Sequence, residues 1–278
     1  MTRPVVAVMA RAPSAPGKSR LLASLGLAET RPEGRGASQP TASSSPGRAE
    51  IGDAAVRLRA ALLRDTLERL TGVDAAAAML FTPASAEAEL RTLAGGAIAM
   101  YPQRGRDLGA RMRAGLVDLL GAGFDGVVLV GSDLPTLPRA YLRQAMASLT
   151  ASPETIVLGP AEDGGYYLLG ARQVHAAIFD GIAWGTARVL EQTLRAAAAI
   201  DVPVARLPPW TDVDSAADLG HVCATAAVST ERARHTCAWL ASAPPAVRRR
   251  VTRARREDVT SRPPADRLRA GPTGRRGP

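Results

Sequence analysis

The chain has 278 residues, nearly half of them hydrophobic and only 4% aromatic. That length holds one large α/β domain or two small ones around a sizeable core, and no apolar run approaches the roughly 20 residues that span a bilayer. The formal charge of +9 sits at the end: residues 244–278 carry eleven Arg against three acids, leaving 24 basic and 23 acidic side chains for the 243 residues before them. The basic character therefore says nothing about a site elsewhere. Residues 244–278 are expected to be a disordered Arg-rich tail, and nucleic acid is an unlikely partner except through it. Two cysteines, Cys223 and Cys237, exclude a disulfide scaffold. The run Met1 to Met9 is too short for a signal-peptide apolar core, so the chain is expected to be cytoplasmic.

In chain order, residues 4–9 read as a first strand and residues 10–21 as the loop after it. Between 28 and 50 there is no Val, Ile, Leu, Met or aromatic residue, which predicts a flexible surface insertion. Helical periodicity returns with Val56, Leu58, Leu62, Leu63, Leu67 and Leu70. A strand near 77–82, a helix near 85–93 and a strand near 97–101 follow. Asp107 is placed to cap a helix over 108–120, with Leu108, Met112, Leu116, Leu119 and Leu120 on one stripe.

The run Gly126-Val127-Val128-Leu129-Val130-Gly131 reads as a strand buried on both faces. It ends at Ser132-Asp133, and Pro135 stops further ladder pairing. A helix near 138–150, a strand near 155–158, a glycine turn into another strand at 166–170, a helix over 185–199, a strand near 202–207 and a helix near 215–226 complete the pattern. Strands alternating with such helices predict a mainly parallel, doubly wound sheet. The domain is expected to span 1–226, with a terminal helix possible over 227–243.

Four stretches carry chemistry-bearing residues. In the first loop, Arg11, Lys18 and Arg20 can offset phosphate charge at a strand-to-helix junction, and Lys18 is the only lysine in the chain. An ordinary basic turn is the plain alternative. Ala12 to Ser19 also matches the loose form of a P-loop, but Pro13 and Pro16 each remove a backbone donor and Ala12 replaces its glycine, so a P-loop kinase is a minority alternative. In the second stretch Gln103 could bond a base or ribose, and Gly109 in the first helical turn suggests close approach of a ligand; a capped helix with solvated arginines competes.

In the third, Asp163 could orient or deprotonate an acceptor hydroxyl, with Gly164 and Gly165 giving it backbone to lie on; a glycine hairpin turn is the alternative. Tyr166 continues this acceptor stretch and Trp184 could line the same pocket, or simply pack. In the fourth, Asp212 and Asp214 point the same way if the segment is extended, although Asp214 or Ser215 could serve only as the next helix cap. Asp212 and Asp214 together with Asp133 offer hard oxygen ligands from two strand ends to Mg2+ or Mn2+, which needs only one or two carboxylates besides substrate phosphates. The pairs His221-x-Cys223 and His235-x-Cys237 fit no common zinc knuckle.

The stretches Ala10-Arg11-Ala12-Pro13 through Leu21, Gln103 with Asp107-Leu108-Gly109 and Arg111-Met112, Gly131-Ser132-Asp133-Leu134-Pro135, Gly159-Pro160 with Asp163-Gly164-Gly165-Tyr166-Tyr167-Leu168, and Asp212-Val213-Asp214 with Asp218-Leu219 occur in this order. Together they resemble the selenodomain-associated (radical-SAM-linked) transferase family over about residues 3–225, outside the insertion. That family is similar to GT-A nucleotide-diphospho-sugar transferases and to the guanylyltransferases of deazaflavin cofactor synthesis. The resemblance implies a Rossmann-like GT-A domain, a divalent metal at Asp133 and Asp214, and donor phosphates near Lys18 and Arg20.

The expected function is a metal-dependent transferase: a glycosyltransferase taking a nucleotide sugar to a small-molecule acceptor, with Lys18, Arg20 and Asp163 catalytic. The alternative is a nucleotidyltransferase that condenses an NTP with a small phosphorylated or acidic metabolite. A non-catalytic protein binding nucleic acid through its tail is the rival of another class.

Overall fold

The computed structural model describes residues 3–27, 46–96, 98–226 and 232–261. Strand β1 (Pro4–Arg11) leads to the short helix α1 (Ser19–Leu25), and α2 (Pro46–Leu70) returns the chain to β2 (Ala76–Thr82). Helix α3 (Glu87–Ala94), β3 (Ala99–Pro102), α4 (Leu108–Gly121) and β4 (Gly126–Val130) follow. Then come α5 (Arg139–Ala151), β5 (Ile156–Pro160), β6 (Tyr166–Ala171), α6 (Val189–Ala198), β7 (Val204–Arg206), α7 (Ala216–Ala226), α8 (Arg234–Ser242) and α9 (Pro245–Ser261).

The seven strands form one sheet in the order β3-β2-β1-β4-β6-β5-β7. Pairing is parallel throughout except at β6, which runs antiparallel to both β4 and β5. A five-residue turn between β5 and β6 leaves no room for a crossover, so that pair can only be a hairpin. The expected mainly parallel α/β sheet is what the chain builds.

Helices cover both faces. On one, Leu63 and Leu70 of α2, Leu90 of α3 and Leu142, Ala145 and Leu149 of α5 pack on Val6, Val8, Val128 and Val130. On the other, Met112, Leu116 and Leu119 of α4 and Ala197 of α6 pack on Val5, Ala7, Val127 and Leu129. Strand β4 contributes to both cores because all five of its residues are buried, as its unbroken apolar run requires.

The order of travel creates the useful crevice. From β1 the chain moves outward through β2 and β3, then returns to place β4 on β1's other side. Loops leaving the carboxyl ends of β1 and β4 therefore diverge, and ligands of open α/β sheets bind at such a switch point.

Three expectations need correction. The flexible insertion was drawn over 28–50, but Pro46 already opens α2, where its fixed φ and missing donor cost nothing; residues 28–45 lie outside the described residues. Leu108 is half exposed rather than part of the α4 stripe, because it occupies the first helical position, beyond the sheet's reach.

The largest correction concerns the C-terminus. Disorder was expected from Pro244 onward, yet α9 lies along α7 and touches α1. Val247 and Val251, one turn apart, are buried with Trp239, Leu219 and Leu58, and each buried valine contributes about 1.5–3 kcal/mol. The arginines hid two valines at helical spacing. Residues 227–231 and 262–278 lie outside the described residues.

Candidate active site

Lys18 is the last residue of the first loop and caps α1 in a left-handed conformation, φ 55° and ψ 37°. That region is disfavoured for a residue bearing a Cβ and persists only where the surroundings impose it. Here they do. Arg59 of α2 donates to the carbonyls of Pro13 (2.7 Å) and Gly17 (3.4 Å), pinning the loop from outside. The Lys18 ammonium contacts the Asp133 carboxylate and donates to Asp214 Oδ1 at 2.6 Å and to the Val213 carbonyl at 2.9 Å.

Asp133 arrives from the end of β4. It does not cap the next helix, since α5 begins at Arg139 behind Pro138. Thr66 of α2 accepts from Leu134 N (3.0 Å) and lies 3.2 Å from the Ser132 carbonyl, fixing the loop's path. A side chain at position 131 would place its Cβ 3.0 Å from Asp133 Oδ1, so the glycine there keeps the carboxylate's position open.

Asp214 arrives by a longer route. After β7, at the far edge, the chain runs back across the strand ends: Leu207 N donates to Leu158 O, Trp210 N to Pro160 O and Val213 N to Asp133 O. The next helix is capped by Ser215, not Asp214. Ser215 Oγ accepts from Asp218 N, while Asp218 Oδ2 accepts from the Ser215 amide and hydroxyl, a reciprocal capping arrangement. The Asp214 carboxylate is thereby free to meet Lys18.

Burial alone would lower the Lys18 pKa, but the Asp133 and Asp214 charges raise it well above the ordinary lysine value. The ammonium is charged at every physiological pH. A third carboxylate, Asp212, is pushed up to about 7 by burial and by the charges of Asp133 and Asp214, against the pull of Lys18. Asp133, Asp212 and Asp214 each present an oxygen within 4.8 Å of the others. Three hard oxygen donors at this separation suit a divalent cation such as Mg2+ or Mn2+.

Beside the cluster opens a cavity of about 330 Å3, lined by Arg11, Lys18, Arg20 and Arg59 with Asp133, Asp214 and the α2 leucines 62 and 63. Four cations beside a carboxylate cluster match a polyphosphate that carries a metal.

Other candidates are placed elsewhere. The Gln103 amide nitrogen donates to Leu80 O (2.8 Å) and Ala10 O (3.3 Å), so it ties strand ends together instead of facing a donor. Gly109 is required by Trp184, whose ring atoms lie 2.2–2.3 Å from where a Cβ would stand. Trp184 in turn meets Tyr166 edge to face at 6.4 Å, and burial raises the Tyr166 phenol's pKa.

Asp163 is exposed on the β5–β6 turn and accepts from Gly165 N at 2.9 Å. Gly164, at φ 86°, would drive a Cβ to within 2.1 Å of the Ala187 carbonyl, so this glycine seats the 185–188 loop. Asp163, Gly164, Gly165, Tyr166 and Trp184 therefore do not line the Lys18 cavity. The hairpin-turn and packing alternatives account for their contacts.

The P-loop alternative fails on its donors. Amides of Ala12, Ser14 and Ala15 are already given to Thr82 O, Glu89 Oε1 and Ala12 O, and Pro13 and Pro16 have none to give, so the stretch before Gly17 cannot curl its amides around a phosphate. The His–Cys pairs bring only their cysteines together: Cys223 and Cys237 are free thiols beside one another, while His221 is engaged by Asp258 and His235 by Glu68.

Composition alone did not expose Arg59 and Thr66, since both sit on α2 among its apolar residues. Their only signal is a polar residue at a core-facing helical position.

With this geometry in place, comparison with known proteins is informative. Residues 66–186 match a family model described as an uncharacterized protein conserved in bacteria (DUF2064). The crystal structure of a protein from Desulfovibrio desulfuricans G20, provisionally named a nucleotide-diphospho-sugar transferase, superposes with a TM-score of 0.73. It is 28% identical, covering 90% of this chain and 99% of that one. On that likeness the chain is an enzyme of the transferase class.

Two further solved structures are more distant. A cytidylyltransferase from Leptospira borgpetersenii is 13% identical, with a TM-score of 0.49 over 89% of this chain and 97% of that one. A CMP:2-keto-3-deoxy-manno-octonic acid synthetase is 12% identical, with a TM-score of 0.48 over 82% and 99%. No curated protein matches. Among the described residues no helix is long and apolar enough to cross a membrane.

Proposed function

We propose that the chain transfers a glycosyl group from a nucleotide-diphospho-sugar to a small-molecule acceptor, with a divalent metal held by Asp133 and Asp214. The convergence of Lys18, Asp133 and Asp214 on one cation-lined cavity at the β1/β4 switch point carries this proposal. The kinship with selenodomain-associated transferases and deazaflavin-cofactor guanylyltransferases belongs to the same proposal.

In it, Arg11 and Arg20 bind the donor's phosphates at the mouth of the cavity, and Lys18 meets them from its floor. Arg59 keeps the loop that carries Lys18 in register. Asp133 and Asp214, with Asp212 beside them, hold Mg2+ or Mn2+, which when bound neutralises charge growing on the departing diphosphate. Asp163 is not among the residues that line the cavity, and the acceptor enters from the cavity's open side.

A second reaction is favoured by one observation: four cations beside one carboxylate cluster balance a triphosphate as well as they balance a diphosphate. In that case an NTP is condensed with a phosphorylated or acidic metabolite and pyrophosphate leaves. Incubation with Mg2+ and labelled nucleotide sugars, and separately with labelled triphosphates, decides between the two by which is consumed. Failure of both donors to bind with metal present, or binding indifferent to metal and to Asp133→Ala, would refute the proposal.

A further inference from the structure

The Lys18 ammonium occupies the space that a cation bound to Asp133 and Asp214 must use. It contacts both carboxylates and the Val213 carbonyl between them. Its side chain is only 18% exposed, and its backbone is held in the left-handed region with Arg59 clamping the residues just before it. The placement is thus imposed by the fold and is not one rotamer of a free surface lysine.

Three carboxylates packed within 4.8 Å repel one another strongly in a partly dehydrated site, and a resident positive charge relieves that repulsion. A divalent ion relieves it too. On the same carboxylates the two cations compete, since their mutual repulsion at about 3–4 Å offsets part of the attraction each enjoys.

We infer that Lys18 is the built-in counter-cation of this acid cluster and competes with the metal for it. The inference rests on the metal assignment made above for Asp133 and Asp214. Metal entry displaces Nζ from the carboxylates, and the flexible four-carbon stem lets it turn into the adjoining cavity, where Arg11 and Arg20 already present positive charge. Donor phosphates stabilise the displaced ammonium there. Metal and donor therefore bind with positive coupling: each favours the state in which Lys18 has left the acids. In the absence of donor, Lys18 keeps the metal affinity low, which makes it a positioning residue for the metal as well as a phosphate ligand.

The test measures Mn2+ binding to the full chain without nucleotide, by electron paramagnetic resonance of free Mn2+. Lys18→Met should bind Mn2+ about tenfold more tightly than wild type, because the competing charge is gone. Its metal-free melting temperature should fall and be regained on adding Mn2+.

If Lys18→Met does not fold, Lys18→Met/Asp212→Asn restores the net charge of the cluster. It should bind Mn2+ more tightly than Asp212→Asn alone. Equal or weaker Mn2+ binding by the Lys18 variants, with wild-type binding still abolished by Asp133→Asn, would overturn the inference and leave the metal site standing. Absence of Mn2+ binding in both wild type and Lys18→Met would overturn the inference and the metal assignment together.

Discussion

Two carboxylate clusters adjoin helix α2, and by composition either could hold a metal: Asp133, Asp212 and Asp214 on one side, Asp65, Glu68 and His235 on the other. They differ in what their lone pairs already do. Asp65 is fully buried and accepts from the amides of His235 (3.0 Å) and Thr236 (2.7 Å), so both oxygens cap the start of α8. Glu68 is engaged by Arg234 and His235. That cluster is a joint between helices. In the other cluster Ser215 and Asp218 cap α7 between themselves, and the carboxylates of Asp133 and Asp214 face a cation over a cavity. A group of acids is a candidate ligand set only when helix ends have not already consumed it.

Substitutions should separate the two clusters. The largest effect is expected from Asp133→Asn, which should abolish Mn2+ binding and cut donor turnover about a hundredfold or more while leaving the fold intact. Retention of metal-dependent turnover in that variant would erase the contrast.

Asp65→Ala should do the reverse. Two buried amides lose their acceptor, costing about 2–4 kcal/mol in urea unfolding, with Mn2+ affinity unchanged. Unaltered stability would mean that the α8 junction is not held by this cap.

Arg59→Met tests the link between helix and loop. Freed from its clamp on Pro13 and Gly17, the loop should hold Lys18 less well, and donor affinity should weaken about tenfold in calorimetry. A change confined to melting temperature would make Arg59 a purely structural residue.

The smallest effect concerns pH. Burial would raise the Glu68 pKa, but the Arg234 hydrogen bond and charge, followed by those of His235, hold it below the ordinary carboxylate value. A depressed acid contributes stability above its unfolded pKa, about 4.3, and loses that contribution as pH falls through the folded value. Glu68→Gln should therefore trail wild type by less than about 1 kcal/mol above pH ~5 and match it near pH ~3. A gap that widens toward low pH would reverse the sign and refute the pairing.

Legibility differed from place to place. The strand 126–130 was plain because burial on both faces demands an unbroken aliphatic run, and Asp107 was legible as a cap because capping is local: its Oδ1 accepts from Ala110 N three residues on. Gln103 and Gly109 stood out in the sequence, but the contacts they make in the fold did not. Both are forced by neighbours distant in sequence, Leu80 and Trp184, and no local pattern announces a partner more than twenty residues away. The valines of α9 were obscured by composition, since eleven arginines dominate any average taken over the tail.

The sequence alone determined the strands and most helices before residue 226, and that a lone lysine and several aspartates stand just past strand ends, because periodicity and capping act over one or two turns. Only the tertiary structure decided which aspartates are free. A carboxylate's availability depends on whether an amide from elsewhere has reached it first, and that is settled when α7, α8 and the returning strand-edge segment pack against α2 and β4.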